Sequence, residues 1–382
     1  YQRRVRGFME VAPNVFWTGV VDWSLRFFHG YTVPDGATYN AYLVKLEDKI
    51  VLIDTVKAPF WDEFKERLTK LTPISKIDYL VVLHAEPDHS GCVPFIVQEK
   101  PDIKVICSNP CQNVLKRYYN MQFNFQECPK DFQFKHVALQ HWPESSVIIY
   151  QKILFSSDLF GQHIASTERF SEDFDFGHTL MRAEDYFANI LHPFKHLVAK
   201  TVADFEKMDF EYVLPAHGLC YRRQNFLKAL QSYKQLCQPQ DNNTVMVMYE
   251  TMYGSTQKAA QLLAQGLIAQ GLKPILMNVQ HTPHSELALK ALRCGKICIG
   301  TPTLNNQMMP DIEGALMYLE ALMLFERKKV IVFGACGWAN CLNQLKQILL
   351  KNQCEIVGEK WWYYQLDDEE MKSMTELAEK MK

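Results

Sequence analysis

The chain has 382 residues, 48% of them apolar and 22% charged, with a formal net charge of −2. That length allows two or three domains with sizeable cores, and the near-neutral charge excludes an extended basic face for nucleic acid or anionic membrane. There is no run of 18 apolar residues to span a membrane, and the opening stretch YQRRVRGFMEVAP lacks the apolar core of a signal peptide.

In chain order, YNAYLVKLEDKIVLIDT reads as two strands joined at Glu47 and Asp48. A helix, APFWDEFKERLTKL, follows, and then a buried strand at 79–83. Further strands are expected at 103–107, 146–150 and 153–155. The helical RQNFLKALQSYKQL leads into CQPQDNN, a polar, aperiodic segment read as a linker. The division is therefore expected at 240/241, giving domains 1–240 and 241–382. Beyond it the pattern alternates plainly. Strands at 245–249, 274–278, 297–300, 330–333 and 356–362 are separated by helices at 257–270, 285–293, 312–325 and 339–351, with a last helix at 368–381. Strand–helix alternation implies a parallel sheet covered on both faces.

Eleven cysteines without CxxC spacing argue against a disulfide framework and against a zinc-ribbon or rubredoxin-type site. Most are expected to be small buried residues in a reducing, cytoplasmic compartment. Ten of the twelve histidines precede residue 240.

The densest cluster of metal-binding side chains is HAEPDH, residues 84–89, at the end of a buried strand. Pro87 disfavours helix, so an extended or turned segment is expected. In an extended chain His84, Glu86 and Asp88 share a face while His89 points elsewhere, so one strand end can serve two adjacent metals. Alone, the run could be a solvated loop. Three other places repeat the pattern of a ligand-type residue at the carboxyl end of a strand: His141 in LQHWPES, Asp158 in ILFSSDLFGQH and His217 in YVLPAHG. Without metal, so many buried ionisable groups would be costly.

HxExDH after a strand, with a later His, Asp and His each after a strand, resembles the flavodiiron proteins, or A-type flavoproteins, within the metallo-β-lactamase superfamily. DWSLRFFHGY, TYNAYLV, HAEPDHSG, HWPES, FSSDLFGQH and PAHG stand in the family's order, ahead of a flavodoxin-like half. The resemblance implies an N-terminal metallo-β-lactamase-like αββα sandwich followed by a C-terminal flavodoxin-like doubly wound parallel sheet. It also implies two non-haem irons per chain: one on His84, Glu86 and His141, the other on Asp88, His89 and His217. Asp158 would bridge them, with a hydroxo or oxo group. Hydrolytic relatives usually carry His where Glu86 stands, and a carboxylate makes a harder, more anionic site suited to iron. His29 and Tyr186 match positions that line the family's substrate pocket, Trp142 would wall the site, and His163 is a further near-site candidate. Glu144 departs from the family's usual Asp.

In VMVMYETMYGSTQKAA a strand, a hydroxyl-rich loop and a helix follow one another. The hydroxyls of Thr251, Ser255 and Thr256, the backbone of Met252, Tyr253 and Gly254, and the helix N-terminus make a phosphate seat. Neither GxxxxGK[ST] nor GxGxxG is present, which disfavours a nucleoside triphosphate and a dinucleotide. The loop resembles the flavodoxin site for FMN. IGTPTLNNQMMP and FGACGWAN, after the third and fourth strands, would flank the flavin through Thr301, Pro302, Thr303 and Asn305 on one side and Ala335, Gly337 and Trp338 on the other.

Reducing O2 to water takes four electrons, which two ferrous irons and one reduced FMN together supply. The resemblance therefore implies an oxygen reductase. Nitric oxide reduction to nitrous oxide is the alternative, and a zinc hydrolase is a more distant one. Rubredoxin or a flavin reductase is expected to deliver the electrons, a rubredoxin-type extension not being expected after the last helix. A head-to-tail homodimer, or a homotetramer built from two, would bring one chain's FMN to the other's irons.

Overall fold

The computed structural model describes residues 4–5, 8–128, 130, 132–136, 145–240 and 243–382. The chain divides into two compact units. The first holds Tyr1–Phe28, Val33–Tyr186 and Phe194–Gln235; the second holds His29–Thr32, Phe187–Pro193 and Leu236–Lys382. Two short segments of the first half thus group with the second unit.

The first unit is built on two large sheets, beside a two-stranded antiparallel ribbon of Val20–Asp22 and Ala37–Tyr39. Eight strands form the larger in simple chain order: β1 Arg4–Val5, β2 Phe8–Ala12, β3 Val15–Trp17, β4 Tyr42–Lys45, β5 Ile50–Ile53, β6 Tyr79–Val81, β7 Lys104–Ile106 and β8 Asn124–Phe125. Pairing is antiparallel up to β5 and parallel from β5 to β8. The smaller sheet runs β9 Gln133–His136, β10 Ser146–Tyr150, β11 Ile153–Ser157, β12 Tyr212–Pro215 and β13 Tyr221–Arg222, and only β11 and β12 are parallel.

Strand alternation sorts the core. Leu52, Leu80 and Val105 face a cluster with Phe64 and Leu68 of α1 (Trp61–Leu71), Ile96 of α3 (Val93–Glu99) and Leu115 of α4 (Asn109–Tyr119). Their neighbours Val51, Ile53, Val81 and Ile106 turn to the other face and pack with Ile148, Phe155 and Leu214 of the smaller sheet. The result is a sheet-on-sheet sandwich with helices on its outer face. Helix α1 begins at Trp61, later than the sequence pattern implies, because Ala58–Phe60 form a 3-10 turn after Lys57.

The second unit is built on a five-stranded parallel sheet, β14 Thr244–Tyr249, β15 Lys273–Asn278, β16 Lys296–Gly300, β17 Lys329–Cys336 and β18 Glu355–Tyr363, with a two-stranded ribbon of Thr303–Leu304 and Gln307–Met308 beside it. Its spatial order is β15-β14-β16-β17-β18, all parallel, the doubly wound order 2-1-3-4-5. Val245, Val247 and Tyr249 pack on α8 (Ser255–Ala269) and α12 (Asp368–Leu377). Met246 and Met248, of opposite parity, are also fully buried, as a sheet covered on both faces requires.

Two boundaries differ from the sequence reading for identifiable reasons. Residues 334–336 belong to strand β17; a Cβ on Gly334 would stand 2.1 Å from the Thr301 carbonyl, so its glycine marks a close strand approach and not a loop. The helix at Leu342–Lys351 starts later than expected, because Asn340 Oδ1 accepts the Leu342 N–H at 2.8 Å and turns the chain first.

Candidate metal centre and flavin site

The first unit's ionisable cluster sits where parallel strands end. β5 and β6 run side by side, so Asp54 and His84 leave them on the same edge. β11 and β12 do likewise with Asp158 and His217. A bulge between Phe155 and Ser157 re-aims the end of β11, and Ser157 takes φ 52° just before Asp158.

The HAEPDH segment is not wholly extended. Pro87–Ser90 form a one-turn helix, α2, with Glu86 as N-cap. Proline is well placed at the first helical position, where its missing N–H has no partner to lose, so Pro87 starts a helix where it was expected to prevent one. The Glu86 carbonyl accepts from His89 N and Ser90 N at 3.0 and 2.9 Å. This turn brings Asp88 and His89 into the cluster together.

Two buried groups result, His84–His89–Asp158 and Asp88–His89–His217, each with candidate ligand atoms within 4.8 Å of one another. Asp158 is the hub. Its Oδ1 lies 3.2 Å from His89 Nε2 and 3.3 Å from His217 Nε2, and its Oδ2 lies 3.8 Å from His84 Nε2. Asp88 Oδ2 stands 3.4 Å from His217 Nε2, and Glu86 Oε2 3.6 Å from His84 Nε2. His89 therefore takes part in both groups. His141, Trp142 and Glu144 lie outside the described residues. The Tyr186 hydroxyl donates to Asp158 Oδ1 at 2.9 Å, and the buried ring of His163 stands 5.1 Å from that of Tyr186 and 5.4 Å from that of His217. His29 is exposed, at φ 45°, in a segment of the second unit.

The surroundings orient the rings. His217 Nδ1 faces the Thr38 carbonyl at 2.9 Å. A carbonyl only accepts, so Nδ1 carries a proton and Nε2 is the atom turned to the carboxylates. That Nε2 is buried and makes no hydrogen bond, an arrangement suited to a metal. His84 Nδ1 lies 3.1 Å from Ser145 Oγ, and His89 Nδ1 3.6 Å from Asp54 Oδ2. Asp54, itself held by the Leu83 N–H at 2.7 Å, is a residue the sequence reading missed, although IVLIDT shows the same strand-end pattern.

Electrostatics follow from packing these charges together without solvent. Burial works against ionisation of Asp88 and Asp158, but the neighbouring imidazoles outweigh it and hold both carboxyls well below the usual range. Burial works against protonated His217, yet Asp158 and Asp88 push its pKa up to about 9. His89 is raised for the same reason. His163, buried and facing His217, is pushed well down and stays neutral. At neutral pH the metal-free site thus holds protons on His217 and His89, which a metal must displace. Metal affinity therefore rises with pH until His217 deprotonates, at about 9, by about tenfold per pH unit for each proton displaced. A pH-stat titration at pH 7 should record at least one proton released per metal bound at His217, and pH-independent uptake without release would contradict this.

The second unit carries a cavity of about 300 Å³ at the carboxyl edge of its sheet. Met252, Tyr253, Ser255 and Thr256 line it from the β14–α8 loop, Pro302, Thr303 and Asn305 from the loop after β16, and Ala335, Gly337 and Trp338 from β17 and the loop after it. Gly254, at φ 80°, caps α8. Thr256 Oγ1 is buried at that helix start with no hydrogen-bond partner, as expected of a hydroxyl meant for a phosphate. Ser255 is already engaged, accepting from Trp362 Nε1 at 2.8 Å. Thr251 and Thr301 are not among the lining residues. Thr251 Oγ1 accepts from Gln257 N at 3.4 Å, and Thr301 is buried behind, bonded to Pro302 O. Leu304, Cys336 and Tyr364 also line the cavity. Tyr364 follows the fifth strand, an end the sequence reading did not assign to the site.

A lactamase-like sandwich with a buried His/carboxylate cluster, joined to a flavodoxin-like sheet with a phosphate-ready loop, defines a two-domain metalloflavoprotein. The ODP family beta lactamase profile matches residues 37–218 and the flavodoxin profile residues 247–349. The chain is 33% identical to the rubredoxin-oxygen oxidoreductase of Megalodesulfovibrio gigas, with 86% of each chain covered. It is 31% identical to the nitric oxide reductase of Moorella thermoacetica, with 92% of each covered. The crystal structure of the Giardia intestinalis flavodiiron protein superposes with a TM-score of 0.92 at 29% identity, over 98% of this chain and 96% of that one. The chain belongs to the flavodiiron proteins, oxidoreductases whose cofactors are FMN and a pair of irons, and its residues fit both groups. Among the described residues no helix is long and apolar enough to cross a membrane.

Proposed function

We propose that residues 1–240 form a diiron domain and residues 241–382 an FMN domain, and that the protein reduces O2 to water in the cytoplasm. The observation that carries this reading is Glu86, whose Oε2 lies 3.6 Å from His84 Nε2. A carboxylate at that position favours iron over the zinc of a hydrolase. His84, Glu86, His89, Asp88 and His217 would hold the metals with Asp158 between them, and His141 would complete the set. Bound iron and FMN would supply the four electrons.

The chain's own part is positioning and proton control. Thr38 holds the tautomer of His217. The Tyr186 hydroxyl, 2.9 Å from Asp158, can supply a proton to the buried site. His163 stays neutral and adds no charge to repel a metal. The reading extends to a separate donor such as rubredoxin or a flavin reductase, and to a head-to-tail homodimer or a homotetramer.

A second reading, nitric oxide reduction, is favoured by the near-equal likeness to the Moorella thermoacetica enzyme. Anaerobically reduced protein, followed with oxygen and nitric oxide electrodes in turn, decides between them: faster oxygen uptake is expected, and faster nitric oxide uptake would reverse the assignment. Glu86→His should lower iron content and turnover together. Undiminished iron and activity in that variant would remove the main support for redox chemistry over hydrolysis.

A further inference from the structure

The first unit has another cavity, of about 390 Å³, built from neither the metal ligands nor the flavin contacts. Its wall includes Arg67 and Arg169, with Trp17, Trp23, Glu63 and Ser166 beside them. Arg169 is only 3% exposed. One of its Nη atoms donates to the Ser166 carbonyl, while Nη1 is buried and makes no hydrogen bond. Among the described residues no carboxylate stands within ion-pairing distance of it. Arg67, by contrast, donates to Glu63 Oε1 at 2.8 Å and to the Gly19 carbonyl. The cavity wall thus carries two guanidiniums against one carboxylate.

Both guanidiniums stack on the same indole, Arg169 at 4.3 Å and Arg67 at 4.8 Å from the Trp17 ring. The Trp17 N–H donates to Asn40 Oδ1 at 2.8 Å, which fixes that ring. Cation–π contact offsets part of the cost of burying Arg169, but a buried guanidinium with an unused donor is best satisfied by an oxyanion. Ser166 Oγ accepts from Glu168 N at 2.9 Å, which leaves its own proton to donate. At the rim Trp23 is 57% exposed, and Val21 and Met9 add apolar surface.

We infer that this cavity binds a small organic oxyanion, a carboxylate or a phosphate ester, with the charged group at Arg169 and Arg67 and an apolar body against Trp23. Shape and charge agree: one net positive charge at depth, an aromatic at the mouth, and room for a ligand larger than an inorganic ion.

The test uses the full chain loaded with FMN, so that the flavin loop cannot take up phosphate. Calorimetric titration with phenyl phosphate and, separately, with benzoate should give saturable binding of one molecule per chain, weakened by added chloride, and the tighter probe identifies the preferred oxyanion. Arg67→Gln should weaken binding at least about tenfold. Glu63→Gln, which removes the competing carboxylate, should tighten it about threefold. Trp23→Ala should weaken both aryl probes, and Lys65→Gln on the same helix should change nothing. Arg169 is left intact because its loss could unsettle the fold. No saturable binding of either probe at millimolar concentration would overturn the proposal, as would affinities indifferent to both Arg67→Gln and Glu63→Gln.

Discussion

Asp158→Asn should leave a folded protein that no longer holds its metals. Asp158 Oδ1 faces two imidazole nitrogens at 3.2 and 3.3 Å, and Oδ2 faces a third at 3.8 Å. Among the described residues, Asp88 faces two imidazoles, those of His89 and His217, at 4.0 and 3.4 Å. Asparagine keeps the shape but removes the charge and one of the two oxygen acceptors, so one metal position loses its ligand-type atom and the other keeps only a neutral amide oxygen. Changing a residue that merely orients a ligand costs 10- to 100-fold in metal affinity, so losing the hub should cost at least about a hundredfold, with turnover falling below detection. Metal analysis after gel filtration and far-ultraviolet circular dichroism together give the reading. Full metal occupancy in a folded variant would sink the assignment of Asp158. Tyr186→Phe removes only the hydroxyl that donates to Asp158 and should be milder, on the order of tenfold in turnover with metal retained.

Gly218→Ala should destabilise the first unit more than a methyl group suggests. Gly218 sits at φ 79°, beside His217. A Cβ there would lie 2.0 Å from Gln162 Oε1 and 2.3 Å from the Gln162 carbonyl. Gln162 cannot easily yield. It is fully buried, its Nε2 donates to Phe160 O, Leu219 O and the Tyr221 hydroxyl, and its Oε1 accepts from Leu219 N at 2.6 Å. Left-handed backbone costs a residue with a Cβ about 1–2 kcal/mol, and each buried hydrogen bond disturbed adds about 1 kcal/mol. A loss of about 3–5 kcal/mol follows, or roughly 10 °C in Tm, measurable by calorimetry. Because Gly218 N donates to Thr38 Oγ1 at 2.6 Å and Thr38 O holds His217, metal affinity should fall with stability. An unchanged Tm would mean the loop relaxes in a way its hydrogen bonds do not suggest.

How far the sequence could be read depended on what each residue answers to. The second unit's strands were plain because both faces are buried, so Val245–Tyr249 and the stretches like it read as unbroken apolar runs. The strand-end pattern pointed to His84, Asp158 and His217, which the fold brings together. It applied equally to Asp54 and Tyr364, but there a lone carboxylate or phenol after a strand carries no visible chemistry. Pro87 misled, and the helices at 93–99 and 109–119 went unassigned. α2, α3 and α4 all have proline in their first turn, where it begins a helix, and a one-turn or seven-residue helix has too little periodicity to announce itself. Thr38 and Ser145 could not have been read at all, because their roles come from a backbone carbonyl and a hydroxyl placed by distant chain.

The left-handed residues around the metal cluster bear on which sequences this site can tolerate. Asp54, Ser157 and Phe160 adopt φ of 54°, 52° and 65°. Glycine would relax each backbone, yet at Asp54 it would discard the carboxylate that holds Leu83 N and faces His89. Asparagine suits left-handed backbone nearly as well and keeps one acceptor. The replacements open to that position are therefore few, set by torsion on one side and hydrogen bonding on the other. A collection of functional variants should show Asp54 varying to asparagine before anything else, while Phe160, whose side chain packs against Tyr233 and Phe226, should give way first to other aromatic rings.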